Sequence, residues 1–137
     1  EGQERNALNQ YIIQHNLIDK IDLPGFKDPN TYLHNSDLFV LSSEYEGFGN
    51  VLVEALSTGI PVVSTDCPSG PAEILKNGLY GQLVPVHDEI ALANAMYKEY
   101  LTEDNSEKRM RRIQRANDFA VEKIAAQYEA LFHTLLK

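Results

Sequence analysis

Hydrophobic and polar positions follow two different patterns along this chain. Up to Pro85, short apolar runs alternate with turns rich in glycine and proline, and from His87 the apolar spacing is helical almost to the end. Residues 38–41 are continuously apolar, which is typical of a strand buried on both faces of a parallel sheet. Together with shorter runs of the same kind, this pattern predicts strands at residues 20–23, 38–41, 61–64 and 80–84.

Helical spacing accounts for most of the remaining chain. The helices predicted in the first part lie at residues 5–16, 31–34, 50–57 and 70–75. In the second part, Asp88 is suited to the N-cap of a helix that ends at Leu101, and a charged helix covers residues 107–117. Because strands and helices alternate, the sequence predicts an α/β sandwich with a mostly parallel sheet, followed by C-terminal helices.

The last predicted helix carries an apolar stripe. Ile124, Tyr128, Leu131 and Leu135 follow one another at spacings of four, three and four residues. Side chains at these spacings share one face of a helix. We therefore expect that face to be buried, either against this domain or against another part of the protein.

Length and charge narrow the classes of function. The 137 residues suit a single domain, residues 1–137, and 43% of them are hydrophobic. The net charge of −8 argues against a general nucleic-acid binder, because an acidic chain repels a phosphate backbone.

One cysteine, Cys67, leaves no internal disulfide and is compatible with a reducing compartment. No apolar run approaches the roughly 20 residues that span a bilayer, and no secretory signal is recognised.

The most informative stretch, residues 42–55, lies where a buried strand ends and a helix begins. Ligands of doubly wound sheets bind beyond the carboxyl ends of the strands. A helix N-terminus there offers unpaired N–H groups and the positive end of the helix dipole to an anion. Gly47 and Gly49 have no side chains, so a phosphate can approach the backbone closely. The pattern predicts an anion site at this turn.

Two carboxylates flank this turn. Glu46 precedes the glycines and Glu54 follows within the helix, so the two can reach opposite ends of one bound ligand. Carboxylates accept hydrogen bonds from vicinal hydroxyls of sugars and riboses. Taken singly, the features have plainer interpretations: two glutamates at this spacing arise by chance in many helices, and a glycine-rich turn is often only structural.

The combination resembles glycosyltransferase family four, retaining enzymes that have two facing Rossmann-like domains in the GT-B architecture. The specific part of the resemblance is residues 43–55 and 59–75; looser matches are residues 25–26, 37–40, 77–78, 81 and 83–85 and the closing helices. The resemblance covers nearly the whole chain. It implies a Rossmann-like sandwich that is part of the C-terminal, sugar-nucleotide-binding domain of a GT-B fold and is incomplete at its N-terminus.

The resemblance also implies residue roles. Glu46 would be the catalytic residue and contact hydroxyls of the transferred sugar, and Glu54 would accept the ribose hydroxyls. The backbone of the turn would face the sugar and the diphosphate; its donor-binding residues are Gly47, Phe48, Gly49, Asn50 and Val51. Phe26 and Lys27 would lie near the nucleobase, although an ordinary surface turn with a packed Phe26 explains them equally well.

The resemblance implies no metal and no cofactor. The family is usually metal-independent, and neither Cys67 nor His87 has companions at ligand spacing. The donor substrate would be a nucleotide diphosphate sugar. A UDP-sugar is favoured over a GDP-sugar because residues 66–71 resemble bacterial surface-polysaccharide enzymes.

Parts of the family pattern are not found between residues 1 and 137. The family's Arg and Lys for the diphosphate, its acceptor-binding N-terminal domain and the first one or two strands of the sheet would lie upstream of Glu1. We therefore expect no useful turnover from this chain alone. The parent would act on a saccharide or lipid-linked acceptor in the cytoplasm, in peripheral association with the cytoplasmic membrane face, without nucleic-acid partners.

Two other interpretations stay open. A sugar-nucleotide epimerase has the same architecture but lacks the Glu46 and Glu54 pattern. A non-catalytic nucleotide-sugar-binding or assembly module would retain the fold without the activity. The sequence does not identify the sugar, the base or the acceptor.

Overall fold

The computed structural model of the protein describes residues 2–136. Its strands are β1 (Phe39–Leu41), β2 (Val62–Thr65) and β3 (Gln82–Val84). Its helices are α1 (Arg5–Gln14), α2 (Pro29–His34), α3 (Asn50–Thr58), α4 (Pro71–Ile74), α5 (Glu89–Leu101), α6 (Ser106–Ala116) and α7 (Val121–Leu135), with a 3-10 turn at Asn117–Phe119. No helix among these is long and apolar enough to cross a membrane.

The three strands form one parallel sheet in the order β1-β2-β3. Phe39 pairs with Val62, and Val63 pairs with Gln82. A helix follows each strand, so the carboxyl ends of all three strands lie at the same edge of the sheet. This arrangement confirms the prediction of an α/β fold with a parallel sheet.

Helices cover both faces of the sheet. Val62 and Val63 are both fully buried although neighbouring strand residues point to opposite faces. Val62 packs in the larger core cluster with Leu52 and Leu56 of α3, whereas Val63 packs with Ala95 of α5. The predicted sandwich is therefore confirmed.

The strand predicted at residues 20–23 is wrong. The N–H groups of Lys20 and Ile21 donate to the carbonyl oxygen of Leu17 at 2.9 and 3.0 Å, in a turn that follows α1. The carbonyl oxygen of Leu23 accepts from Nη2 of Arg5 at 2.6 Å. A strand needs a neighbouring strand for its backbone groups, and these backbone groups bond to the nearby chain instead.

Helix α3, which the sequence predicts at residues 50–57, lies between two glycines. Gly49 has φ +88° at its start and Gly59 has φ +79° at its end, values that favour glycine. Leu52, Ala55 and Leu56 form its fully buried face. The N-cap predicted for α5 is confirmed as well, because the side chain of Asp88 accepts from the N–H of Ala91 at 2.8 Å.

Arginines of α6 hold the far ends of α3 and α4. Arg112 Nε donates to the carbonyl oxygen of Gly59 at 2.7 Å. Arg115 donates to the carbonyl oxygens of Ile74 at 2.9 Å and Glu73 at 2.7 Å. The last carbonyls of a helix have no partner within it, so these bonds satisfy groups that would otherwise lack one. Helix α6 thereby fixes two helices that begin at the carboxyl edge of the sheet.

Each of these arginines is itself held by an aspartate. Arg112 Nη2 lies 2.6 Å from Asp104 Oδ2, and Arg115 Nη1 lies 3.0 Å from Asp118 Oδ2. The hydrogen bond from Arg115 is the largest cause that lowers the pKa of Asp118 from its ordinary value. The carboxylate of Asp118 therefore stays ionised to lower pH in the folded protein, and any stability it contributes is lost only as the pH falls through its folded pKa.

We expect Arg112→Ala to lower the free energy of unfolding by about 3 kcal/mol. The change removes the donor to the buried end of α3 and leaves Asp104 without its cation, and Arg112 is only 8% exposed. Urea denaturation followed by circular dichroism measures the difference. Arg111→Ala is the matched control. Because Arg111 is exposed on the same helix, its substitution should lower the free energy of unfolding by less than about 1 kcal/mol. Equal losses in the two variants would contradict the role assigned to Arg112.

The apolar stripe of α7 lies largely on the surface of the described chain. Ile124 is partly buried, but Tyr128, Leu131 and Leu135 are all exposed. Of the two alternatives, burial against this domain therefore does not apply to most of the helix. Helix α7 contacts the 3-10 turn that precedes it, and all of its described residues after Ile124 are exposed. Burial against another part of the protein stays a prediction.

Candidate functional site

Three loops meet at the carboxyl edge of the sheet. They follow β1 (residues 42–49), β2 (residues 66–70) and β3 (residues 85–88). The first is joined to the third by His87 Nδ1, 3.3 Å from Glu44 Oε1. It also rests on the second, because Gly70 lies directly against the carbonyl oxygen of Phe48. This is the edge at which open parallel sheets bind ligands.

A short series of hydrogen bonds positions Glu46. The hydroxyl of Thr65, the last residue of β2, donates to the carbonyl oxygen of Ser43. The hydroxyl of Ser43 donates in turn to Glu46 Oε1 at 2.7 Å. Glu46 is partly exposed, and no protein group within residues 2–136 is recorded as donating to its Oε2. One carboxylate oxygen is thus held by the protein and the other can accept from a ligand.

Sequence reasoning missed Ser43 and Thr65 as positioning residues. Both are hydroxyl residues at the carboxyl ends of neighbouring strands, and the pairing of Leu41 with Ser64 brings the residues after them side by side. The signal in the sequence that could have identified them is a polar residue at the end of each predicted strand, where ligands of such sheets bind. The register that joins Thr65 to the loop after β1 could not be known without the pairing.

The start of α3 is open to an anion. The backbone hydrogen bond that opens the helix runs from the N–H of Leu52 to the carbonyl oxygen of Gly49 at 2.8 Å. The N–H groups of Asn50 and Val51 come before this bond, at the end of the helix where N–H groups lack partners inside it. No side chain caps this end, and its first turn contains no acidic residue that would already neutralise the dipole. A side chain added at Gly47 would meet nothing within 4 Å, so the turn faces open space there.

Gly70 allows the turn to sit at this place. Its φ is +115°, and an added Cβ would lie 1.7 Å from the carbonyl oxygen of Phe48. Pro71 then begins α4, with Glu73 in its first turn. Residues 69–71 thus form a helix start that is followed by an early acidic residue.

Phe48 and Glu54 differ in what they offer a ligand. The ring of Phe48 is partly buried on the core and lies edge-on to Phe119 with centroids 5.6 Å apart, so its backbone is the group it chiefly offers to a ligand. Glu54 is exposed on α3, four residues after Asn50, which places it about 6 Å further along the helix axis.

Phe26 and Lys27 lie in the irregular segment between α1 and α2. Phe26 is 96% exposed, so it is not the packed side chain of an ordinary surface turn. Lys27 is exposed too. The structure does not join either side chain to residues 46–54, and their place near a nucleobase stays a prediction.

Histidine and cysteine side chains do not gather at this edge. Cys67 is buried, and His87 pairs with Glu44 on the surface. Within residues 2–136, no group of three or more His, Cys, Asp or Glu side chains is arranged to hold a metal ion. The chemistry that this edge offers is therefore a carboxylate beside an open helix start.

Residues 1–119 match the family described as glycosyl transferases group 1. An uncharacterized glycosyltransferase from Methanocaldococcus jannaschii is 33% identical and is matched over 96% of this chain and 40% of its own length. A Campylobacter jejuni enzyme is 32% identical over 98% of this chain and 37% of its own length. That enzyme is an N-acetylgalactosamine-N,N'-diacetylbacillosaminyl-diphospho-undecaprenol 4-alpha-N-acetylgalactosaminyltransferase. The chain thus spans 40% or less of the length of these relatives.

Solved structures resemble the whole described fold. The pneumococcal O-GlcNAc transferase in complex with UDP and GlcNAc superposes with a TM-score of 0.75 and 27% identity, over 98% of this chain and 28% of that one. The sucrose-phosphate synthase of Thermosynechococcus elongatus gives a TM-score of 0.74 and 29% identity, over 98% and 35% of the two chains. An Anabaena protein in complex with UDP and glucose gives a TM-score of 0.72 and 25% identity, over 95% of this chain and 35% of that one.

Proposed function

The chain belongs to the glycosyl transferases group 1, and we propose that it is the C-terminal, donor-binding domain of a retaining glycosyltransferase of family four. The observation that carries the proposal is the turn at residues 46–49, which places a positioned carboxylate directly before an open helix start. In this proposal the full-length protein moves a sugar from a nucleotide diphosphate sugar to a saccharide or lipid-linked acceptor.

The start of α3 binds the diphosphate in this proposal. Its dipole contributes roughly 0.3–1 kcal/mol per charge, so several N–H bonds from residues 47–51 must act together to hold the group. The same N–H groups are fixed in direction before the reaction begins. They therefore stabilise the charge that grows on the departing diphosphate without further rearrangement.

Glu46 acts on the transferred sugar. Glycosyl transfer passes through an oxocarbenium-like state, as glycoside hydrolysis does. Ser43 holds Oε1 of Glu46, so the free oxygen accepts a sugar hydroxyl while the negative charge stabilises the developing cation. Retention of configuration comes from the family resemblance, and Glu46 is assigned no role as a nucleophile.

Glu54 accepts the ribose hydroxyls at the other end of the donor. Its exposed position about one helical turn into α3 suits a ligand that runs along the helix start. Phe26 and Lys27 are proposed beside the nucleobase, and the unpacked ring of Phe26 is available for stacking. The structures of the pneumococcal and Anabaena relatives contain UDP, which supports a UDP-sugar over a GDP-sugar.

The acceptor and the remaining donor contacts are proposed to come from the rest of the full-length protein. Because the chain spans 40% or less of the relatives described above, an N-terminal domain with the acceptor site and cations for the diphosphate is part of the proposal. The diphospho-undecaprenol in the name of the Campylobacter enzyme supports a lipid-linked acceptor. Action at the cytoplasmic membrane face, in polysaccharide biosynthesis, is part of the proposal. The family match favours sugar transfer over an epimerase.

Calorimetric titration of the full-length protein with UDP, GDP and ADP tests the donor site. We expect UDP to bind most tightly, and Glu54→Gln to weaken UDP binding about 10-fold through the loss of a charged acceptor for the ribose. Glu107→Gln is the matched control, since Glu107 is also an exposed glutamate on a helix, in the first turn of α6. Identical UDP affinities of the two variants would contradict the role of Glu54, and absence of nucleotide binding would overturn the donor site.

A further inference from the structure

A second cleft opens at the amino-terminal edge of the sheet, opposite the candidate donor site. Its volume is about 520 Å³. It is lined by the first residues of β2, the turn that leads into β3, the last turn of α5 and one face of α6. Strand β2 has four residues, so the two edges of the sheet are separated by roughly 10 Å or more. The cleft is therefore separate from the loops that carry Glu46.

The walls of this cleft carry more positive than negative charge. Lys98, Lys108, Arg111 and Arg112 line it together with the acidic residues Glu99 and Asp104. Arg112 is neutralised by Asp104, and Glu99 accepts a hydrogen bond from Gln82. Three cations then face one carboxylate, in a chain whose net charge is −8.

The cations of the cleft have few partners of their own. Lys108 Nζ donates to the backbone carbonyl of Glu103 at 2.8 Å, and Arg111 lies 6.0 Å from the ring centroid of Tyr80. Within the described part of the chain, no carboxylate forms an ion pair with Lys98, Lys108 or Arg111. Lys108 and Arg111 are three residues apart on α6, where like charges repel. An anion between them would relieve that repulsion.

Size and hydrogen-bonding groups indicate the kind of anion. Clefts that bind small molecules have volumes of about 300–1,000 Å³, and this one lies within that range. Lysine and arginine donate charge-assisted hydrogen bonds to phosphate oxygens. Thr102 and Gln82 add uncharged polar groups at the same walls, which suit hydroxyl groups. These features together fit a phosphate group attached to a small molecule that carries hydroxyl groups.

We propose that this cleft binds a phosphate monoester through Lys98, Lys108 and Arg111. The ligand is a small phosphorylated polyol or sugar, and its site is distinct from the one that holds the nucleotide. The proposal does not depend on the donor site, because the two sites share no residue. A phosphate monoester can come from a free metabolite or from the headgroup of phosphatidic acid, and the two sources are separated by experiment.

The test is titration of the full-length protein with glucose 6-phosphate at constant ionic strength, in the presence of saturating UDP. We expect saturable binding with a Kd of about 1 mM or tighter. The double variant Lys98→Gln with Arg111→Gln should weaken it at least about 10-fold, the loss expected when two charged hydrogen bonds are removed. Lys20→Gln with Lys123→Gln is the control, because it removes the same charge at exposed positions that do not line the cleft.

Thermal unfolding of each variant verifies that the fold is intact before affinities are compared. Protein binding to phosphatidic acid vesicles is compared with binding to phosphatidylcholine vesicles, to separate the two sources of phosphate. Binding that needs phosphatidic acid and is lost in the cleft variant assigns the phosphate to a lipid headgroup. Equal affinity of the cleft and control variants overturns the proposal. So does displacement of glucose 6-phosphate by UDP, or the absence of both glucose 6-phosphate saturation up to about 20 mM and vesicle binding through the cleft.

Discussion

Glu46→Gln in the full-length protein is expected to lower kcat by about 100-fold or more, the scale of losing one electrostatic contact to a transition state. The amide keeps the size and one acceptor oxygen of the carboxylate but removes its negative charge. That charge stabilises the oxocarbenium-like state in the proposed mechanism. Because the contact strengthens as positive charge develops, the expected loss is mainly in kcat rather than in KM.

Steady-state transfer from a UDP-sugar, with initial rates measured at saturating acceptor, gives both constants. Glu44→Gln is the matched control: it makes the same chemical change two residues away, at an exposed side chain that pairs only with His87 among the described residues. Its kcat should change by less than about 3-fold, as is usual for an exposed ion pair. If Glu46→Gln retains the wild-type rate and donor affinity, Glu46 is not catalytic, and the role proposed for its charge is wrong. Absence of any transfer by the wild-type protein would instead favour the non-catalytic binding module.

Gly70→Ala should lower the free energy of unfolding by about 3 kcal/mol or more, among the larger effects of single substitutions. The new Cβ would lie 1.7 Å from the carbonyl oxygen of Phe48, a backbone atom that can move only with the turn itself. The φ of +115° adds strain for any residue other than glycine. Relief of the contact must displace residues 46–49, so we expect weaker donor binding in addition to lower stability.

Chemical denaturation and calorimetric UDP titration report these two effects separately. Gly47→Ala is the control for stability, because its added Cβ meets nothing within 4 Å and its φ is not among the positive values. That variant should unfold within about 1 kcal/mol of the wild type. A Gly70→Ala protein that matches Gly47→Ala in stability would show that the loop after β2 yields freely and does not hold the turn.

The alternation of short apolar runs and helical segments was enough to predict the layered α/β fold. It failed at residues 20–23, where the local pattern suits a strand but the backbone bonds to Leu17 and Arg5. Strand formation depends on a partner strand, which a local pattern does not contain. The stripe on α7 shows a similar limit: its periodicity predicts a helix correctly but does not say what, if anything, covers it.

The candidate site likewise has one part that the local sequence predicts and another that depends on the fold. Glu46, the two glycines and the start of α3 are consecutive in the chain, so their closeness follows from local geometry alone. Ser43 lies within the family motif, yet its hydrogen bond to Glu46, its contact with Thr65 and the support from Gly70 were not expected. The basic cleft at the other edge was not expected either, because its walls come from four separate elements.

The sequence by itself thus determined the secondary structure around the turn, the family resemblance and the residues that carry its chemistry, since these depend on local spacing and residue type. Only the tertiary structure decided which groups hold that turn in place. Strand register places Thr65 beside the loop after β1, and the packing of two loops makes Gly70 indispensable. The arginines of α6 reach carbonyl groups 53 and 41 residues away. Such contacts depend on the folded path of the chain, because no local pattern specifies which distant backbone groups are left without a partner.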